Sequence, residues 1–350
     1  MKPDADSCAL PSRRIGNTDL DVAPLGLGCA GLGNLYSAIT DTQARETVRR
    51  GLNAGLRHID TAPYYGFGLS ERRVGEALRE QPRDSFVLSS KVGRLLQPCG
   101  AVDADTARHG YCSPMPFAPV YDYSYDGVMR SYQDSLQRLG LSRIDILYIH
   151  DIGKVTHGRD NARLFKIAMD SGYKALDELR SGGQIRAFGL GVNEYEVCEA
   201  ALEYGDFDCF LLAGRYTLLE QGALDTFLPK CAARNVSVII GGVYNSGILA
   251  TGAQSGQTPY YNYEPAPAAI IERVERLETA CAEFKVPLAA AALQFPLAHP
   301  AVASIAVGMR EPQQVDHTLA LFTCPVPADF WQALWDSDLL HPAAPAPTVV

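Results

Sequence analysis

The chain lacks three things. No apolar run reaches membrane-spanning length, no apolar segment follows a basic start within residues 1–14, and no block of like charge occurs anywhere. The first lack argues against a membrane-spanning protein. The second argues against a secretory leader. Together they lead to the expectation of a cytoplasmic protein. Lys and Arg number 31 against 40 Asp and Glu, a formal net charge of -9. That balance supplies no basic stripe for a nucleic-acid partner, and otherwise speaks only to solubility. The nine cysteines, Cys8, Cys29, Cys99, Cys112, Cys198, Cys209, Cys231, Cys281 and Cys324, are odd in number and thinly spread. None is paired at zinc-ligand spacing, so free thiols in a reducing compartment are expected and a metal site is not. Cys209 and Cys231 stand in apolar surroundings and read as core. There is no internal sequence repeat.

What is present is an alternation of short apolar runs and helical patterns. At 350 residues, with 47% hydrophobic side chains and a mean hydropathy of -0.06, the chain suits one barrel with insertions. Residues 13–22 read as a hairpin around Gly16-Asn17-Thr18-Asp19. Buried strands are expected at 25–30, 57–61, 86–91, 144–150, 187–192, 209–213, 237–241 and 304–307. Helices are expected from 40–41, where Ala44, Val48 and Leu52 recur at spacing four, and over 71–79, 126–139, 173–180, 195–204, 223–234, 268–284, 288–298 and 312–321. About eight strand–helix units predict a closed (β/α)8 TIM barrel with an N-terminal β-hairpin. The expected domain plan is a single unit over 1–350, with the barrel at about 13–325 and a loose Pro/Ala-rich tail at 342–350. Residues 92–125, 151–161 and 251–267 form long loops at the carboxyl ends of the strands. Loops of that length in a compact domain usually carry function.

Gly26-Leu27-Gly28-Cys29-Ala30-Gly31 matches the dinucleotide fingerprint G-x-G-x-x-G. A Rossmann reading needs a helix to open at the third glycine. Here residues 32–37 intervene and the helix pattern starts only near Thr40-Asp41. The expected role of the glycines is to let a barrel strand approach a ligand closely.

Four ionisable groups stand at or just past three successive strand ends: Asp60, Tyr65, Lys91 and His150. Singly, each has a plain structural use: Asp60 as a helix cap, Tyr65 as a loop aromatic, Lys91 as a snorkelling lysine, His150 as a hydrogen-bonded core histidine. Jointly they fit one chemistry. Moving a hydride to or from a carbonyl carbon requires a proton on the oxygen. A tyrosine can exchange it, but its ordinary pKa is about 10. A lysine ammonium about 4 Å away attracts the phenolate by roughly 4 kcal/mol at an effective dielectric near 20, enough to make the phenol more acidic. Asp60 paired to Lys91 keeps that ammonium charged, and a neutral His150 orients the substrate oxygen.

The stretches Asp60-Thr61-Ala62-Pro63-Tyr64-Tyr65-Gly66, Ser89-Ser90-Lys91-Val92-Gly93, Leu147-Tyr148-Ile149-His150-Asp151 and Gly189-Leu190-Gly191-Val192-Asn193 resemble those of the aldo-keto reductase superfamily. The resemblance extends from the hairpin to the last helix. It implies the roles above for Asp60, Tyr65, Lys91 and His150, and a nicotinamide cofactor contacted by Gly28, Asp60, Asn193, Tyr216, Tyr244, Gly308, Arg310 and Gln314. Asn193 would hold the carboxamide or cap the helix that follows. Two family features are missing: Ala213 stands where a Gln touches the nicotinamide, and 241–247 replaces a strand-end tyrosine and Ser-Pro-Leu. Tyr216 or Tyr244 would then supply the stacking ring. In 306–315 Arg310 is the one cation, with Gly308 and Gln314 at positions the family often makes basic for a 2′-phosphate, so NAD is expected over NADP. Residues 242–249 and 261–267 resemble the L-fucose (D-threo-aldose 1-) dehydrogenase branch, with pyridoxal dehydrogenase nearby. That implies a small-molecule substrate, a sugar or aldehyde, oxidised at C1 to a lactone. The alternatives are pyridoxal or general aldehyde chemistry, or a nucleotide-binding regulatory subunit without turnover.

Overall fold

The structure, a computed structural model, describes residues 10–100, 106–254, 256 and 258–347. Eight strands close a parallel barrel in sequence order: β1 Leu25–Gly28, β2 His58–Asp60, β3 Val87–Val92, β4 Ile146–His150, β5 Ala187–Val192, β6 Cys209–Ala213, β7 Ser237–Gly241 and β8 Val302–Gly308, which pairs back to β1. Side-chain direction alternates along each strand. On β3, Val87, Ser89 and Lys91 point into the barrel, while Leu88 and Val92 pack outward with Ile59, Leu147 and Ile149 beneath the helices. Being buried on both faces, the strands read as nearly unbroken apolar runs.

The hairpin Arg13–Arg14 with Asp21–Val22 closes the amino-terminal end. Its Ile15, Leu20 and Val22 join the interior cluster with Val87, Ile146, Tyr148, Ala187, Cys209, Leu211 and Ile239. With that end plugged by apolar side chains, the polar inward positions collect at the opposite mouth.

The outer helices begin and end where the local chemistry dictates. Helix α1, Asp41–Asn53, opens at Thr40, whose hydroxyl accepts from the Gln43 amide at 3.1 Å, and it buries Ala44, Val48 and Leu52. After β1 the glycine run makes only a single 3-10 turn, Gly31–Gly33, so no helix opens on the fingerprint. Helix α2, Leu69–Leu78, follows β2. Helix α3, Tyr125–Leu139, is capped by Ser124 and stops at Gly140, left-handed at φ 64°. Helices α4 Tyr173–Ser181, α5 Tyr195–Leu202, α6 Phe227–Ala233, α7 Ala268–Phe284, α8 Leu288–Gln294 and α9 Pro312–Phe322 complete the ring.

Several expectations change. The 92–125 insertion is not irregular: Arg94–Pro98 pairs antiparallel with Phe117–Tyr121, and Ala107–Arg108 with Tyr111–Cys112. Its residues 101–105 lie outside the described residues. The 151–161 loop holds a short helix, Lys154–His157, and runs into Asn161–Ile167. The 251–267 loop contains the hairpin Tyr260–Tyr261 with Glu264–Pro265. A helix beyond the expected barrel end, α10 Ala328–Asp336, buries Phe330, Trp331 and Leu334. In the expected loose tail Ala344 is buried on the core, and 348–350 lie outside the described residues. No helix among the described residues is long and apolar enough to cross a membrane.

Candidate active site

Parallel register places the polar groups at one level. Gly28 lies opposite Asp60, Asp60 opposite Ser89, Lys91 opposite Tyr148, and His150 opposite Gly191. Inward parity then aims Asp60, Lys91 and His150 into the mouth. The Lys91 ammonium donates to Asp60 Oδ2 at 2.7 Å and to the Thr61 carbonyl at 3.0 Å. Lys91 is 1% exposed and Asp60 3%. A lysine so enclosed stays charged only beside an anion. Room for its stem comes from Gly191, where an added Cβ would stand 3.4 Å from Lys91 Cε. The other Asp60 oxygen accepts from Ser89 Oγ at 2.7 Å.

Tyr65 follows on the loop after β2. The Lys91 ammonium sits 4.8 Å from the centre of its ring, and the His150 ring meets it edge-on at 6.0 Å. The structure thus brings Asp60, Tyr65, Lys91 and His150 together. One expectation needs correction. The Tyr65 phenol is not made acidic by the protein alone: burial, then the negative charge of Asp60, pushes it well above its ordinary range. Desolvation of the phenolate and the nearby Asp60 charge outweigh the attraction of the Lys91 ammonium, 4.8 Å from the ring centre. His150 is held well below its ordinary range by burial, then by Arg94 and Lys91, so its imidazole is neutral as expected.

A second charge pair was not legible in the sequence. Arg94, 4% exposed, forms an ion pair with Asp151, and its guanidinium lies over the Tyr64 ring at 4.0 Å. Asp151 takes a left-handed φ of 48° and also accepts from Asn193 Nδ2 at 3.2 Å. It lies 3.5 Å from His150 Nε2. The Tyr123 hydroxyl donates to the His150 carbonyl at 2.8 Å. Gly93, at φ 93°, admits the Tyr123 ring, which an added Cβ would meet at 2.4 Å. The one sequence signal for Arg94 was its place three residues after Lys91, across that glycine.

The three long loops all reach the mouth. Tyr111 from the first packs at 6.4 Å from Tyr65. His157 from the second meets Tyr123 edge-on at 5.5 Å. The third presents Tyr263, 59% exposed, on a turn whose Asn262 and Tyr263 both have positive φ. That turn is pinned by Tyr263 N to Ser246 Oγ at 3.0 Å and by Arg215 to Asn262 Oδ1 at 2.9 Å. Tyr36, 55% exposed, stands on the same rim.

The residues expected to hold a nicotinamide cofactor divide. Asn193 is tied to Asp151 and does not cap α5, whose first flanking residue is Glu194. It also lines a cleft of about 540 Å³ beside Phe165, Tyr195 and Arg215, which none of the four mouth residues touches. Gly308 and Gly28 are register partners at the ends of β8 and β1, and an added Cβ on Gly308 would stand in open space. Gly214 and Gly242 follow the ends of β6 and β7, so glycines stand at or just past four strand ends that adjoin in the barrel. Arg310 donates to Ser37 Oγ, and its backbone N–H donates to Gln314 Oε1 at 2.9 Å. Tyr216 is withdrawn: it is fully buried, with its ring 5.4 Å from Phe295 and 5.9 Å from His299, and so cannot stack on a ligand at the mouth. Tyr244 is half-buried; its hydroxyl has no partner among the described residues, and burial lifts it to about 12.

Comparison with known proteins gives the family and agrees with the fold. The profile described as Aldo/keto reductase family matches residues 24–338. The chain is 45% identical over 340 residues to the pyridoxal 4-dehydrogenase of Microbacterium luteolum, covering 95% of this chain and 98% of that protein. It is 36% identical over 326 residues to the D-threo-aldose 1-dehydrogenase of a Pseudomonas species, covering 92% and 95%. Among solved structures, the holo form of aldo-keto reductase AKR11C1 from Bacillus halodurans superposes with a TM-score of 0.72 at 26% identity, covering 97% of this chain and 99% of that one.

Proposed function

The chain belongs to the aldo/keto reductase family, and from that premise we propose that it is a dehydrogenase that oxidises the hemiacetal carbon of a cyclic substrate, pyridoxal or an aldose such as L-fucose, to the lactone. It is an oxidoreductase acting between CH–OH and carbonyl, and the family works with nicotinamide cofactors. The observation that carries the reading is the Lys91 ammonium, shared between Asp60 Oδ2 at 2.7 Å and the Tyr65 ring at 4.8 Å, with a neutral His150 edge-on to that ring at 6.0 Å.

Pyridoxal and aldoses share one reacting group. Each closes on its own hydroxyl to a ring carbon that carries H, OH and a ring oxygen. Oxidised nicotinamide, when bound, supplies the hydride acceptor. Tyr65 as phenolate takes the hydroxyl proton while the C–H bond breaks, and ends as the phenol. Lys91 stabilises the phenolate, and Asp60 keeps Lys91 charged. His150, neutral, hydrogen-bonds the substrate oxygen and fixes its angle to Tyr65. In the reductive direction the Tyr65 phenol donates. The rim tyrosines Tyr36 and Tyr263 offer flat apolar faces with hydroxyl edges, which suit a small polar ring. Asn193, Gly28 and Gly308 would hold the cofactor, with Tyr244 in preference to Tyr216 as the neighbouring ring. Arg310, already bound to Ser37, is a weak site for a 2′-phosphate, which supports NAD over NADP.

The test is a panel of pyridoxal, L-fucose, D-arabinose and L-galactose with NAD and with NADP, read at 340 nm, with Tyr65→Phe as control. Turnover of a hemiacetal with NAD and none in Tyr65→Phe is expected. Turnover confined to open-chain aldehydes, or tighter use of NADP, would overturn the corresponding part.

A further inference from the structure

Beneath the mouth lies a polar column that the reaction above does not use. His58 is fully buried inside the barrel, two residues before Asp60 on the same inward face. Its Nε2 is 3.2 Å from Ser89 Oγ, and its Nδ1 is 3.5 Å from Ser304 Oγ. Ser89 Oγ is in turn 2.7 Å from Asp60 Oδ1. Space for the imidazole comes from Gly26, the first glycine of the fingerprint: a Cβ there would stand 3.0 Å from His58 Nδ1 and 2.8 Å from the His58 carbonyl. That gives a use in this fold to a glycine that opens no dinucleotide helix.

The hydrogen-bond chemistry gives the column a direction. An ionised carboxylate only accepts, so Ser89 donates to Asp60. Ser89 then has lone pairs left, and these accept the His58 Nε2–H. The tautomer follows: the proton is on Nε2, and Nδ1 accepts from Ser304. Burial and Lys91 oppose protonation of His58, Asp60 and Asp145 favour it, and the balance leaves it at about 4, neutral at working pH. Ser89 also has an alternative acceptor, the Ile59 carbonyl at 3.5 Å. An N–H seated on its lone pair turns the hydroxyl proton toward Asp60 instead.

We infer that His58 and Ser89 are positioning residues, which lock one oxygen of Asp60 so that the other stays on the Lys91 ammonium in the orientation that serves Tyr65. The inference rests on the proposed catalytic role of Asp60, Lys91 and Tyr65. Neither His58 nor Ser89 touches substrate.

The experiment compares His58→Leu, His58→Gln, Ser89→Ala and the His58→Leu/Ser89→Ala double variant, with Tyr65→Phe alongside, for kcat, for KM of the substrate and of NAD, and for melting temperature. His58→Leu is expected to lower kcat about tenfold, the scale of one hydrogen bond, with both KM values within about twofold of wild type. His58→Gln, whose amide N–H can reach the Nε2 position, should recover most of that loss. The double variant should be no slower than Ser89→Ala alone, because the effect of His58 passes through Ser89. A wild-type kcat in His58→Leu, no rescue by Gln, or additive losses in the double variant would overturn the inference. If His58→Leu does not fold, Ser89→Ala and His58→Gln decide: slow and near normal respectively support it, and any other pairing sinks it. Tyr65→Phe separates the two levels. Inactive Tyr65→Phe with an unaffected Ser89→Ala removes only the positioning role, whereas an active Tyr65→Phe removes the site reading itself.

Discussion

Replacing Lys91 by methionine separates the structural worth of the buried ion pair from its chemical worth. The side chains of Lys91 and Asp60 are 1% and 5% exposed, and the charged atoms are 2.7 Å apart. At that separation and an effective dielectric near 20, the attraction is about 6 kcal/mol. Most of it offsets the desolvation of two charges, so the pair is worth little net, yet breaking it is expensive. Lys91→Met fills similar volume but leaves the Asp60 carboxylate enclosed with the Ser89 hydroxyl as its remaining side-chain donor among the described residues. Such a stranded charge costs about 3–5 kcal/mol. The double variant Asp60→Leu/Lys91→Met removes both charges and should regain most of that stability, since exchange of a whole buried pair for apolar groups is often neutral. Turnover should not return. With the ammonium 4.8 Å from the Tyr65 ring centre, the phenolate stabilisation lost is about 3.5 kcal/mol at an effective dielectric near 20, roughly a few hundredfold in kcat/KM. Urea unfolding followed by circular dichroism, with hydride transfer read at 340 nm on the same preparations, checks both halves. A single variant as stable as wild type, or a double variant as damaged as the single, would refute the stranded-charge argument. A double variant with restored turnover would refute the role given to Lys91.

Three further outcomes follow from the site. His58 and His150 are both held below their ordinary range when folded, so the unfolded chain binds more protons; stability is complete above the ordinary histidine pKa and falls as pH drops through it. For His58, moving from 6.5 to about 4, the loss at pH 5 is about 2 kcal/mol, and His58→Gln should shrink the fall in melting temperature between pH 7 and pH 5. Arg94→Met should leave Asp151, 15% exposed, without its cation and lower stability measurably by urea unfolding; with one of the cations that keep His150 neutral removed, the acid limb of the pH–rate profile should move toward neutrality. Because the Tyr65 phenol lies above its ordinary range, oxidation should quicken with rising pH, while reduction, which uses the phenol, should not slow below that range; an oxidation rate that is flat with pH would count against Tyr65 as the proton carrier.

The one-dimensional pattern determined the units and their order. Apolar runs bounded by turn residues became the strands, and period-two alternation on β2, β3 and β4 sent His58, Asp60, Ser89, Lys91 and His150 inward, because in a parallel barrel strand parity alone decides which face a side chain takes. The mouth position of Asp60, Lys91 and His150 was therefore readable from spacing. What folding alone decided depends on contacts between distant segments and on burial. Arg94 meets Asp151 only because the loop after β3 folds back as a hairpin. Tyr216 is drawn under Phe295 by helices it cannot foresee from its own neighbours. The protonation of Tyr65 turns on how much water the closed mouth excludes, and solvent exclusion is a property of the assembled barrel that no local stretch of sequence encodes.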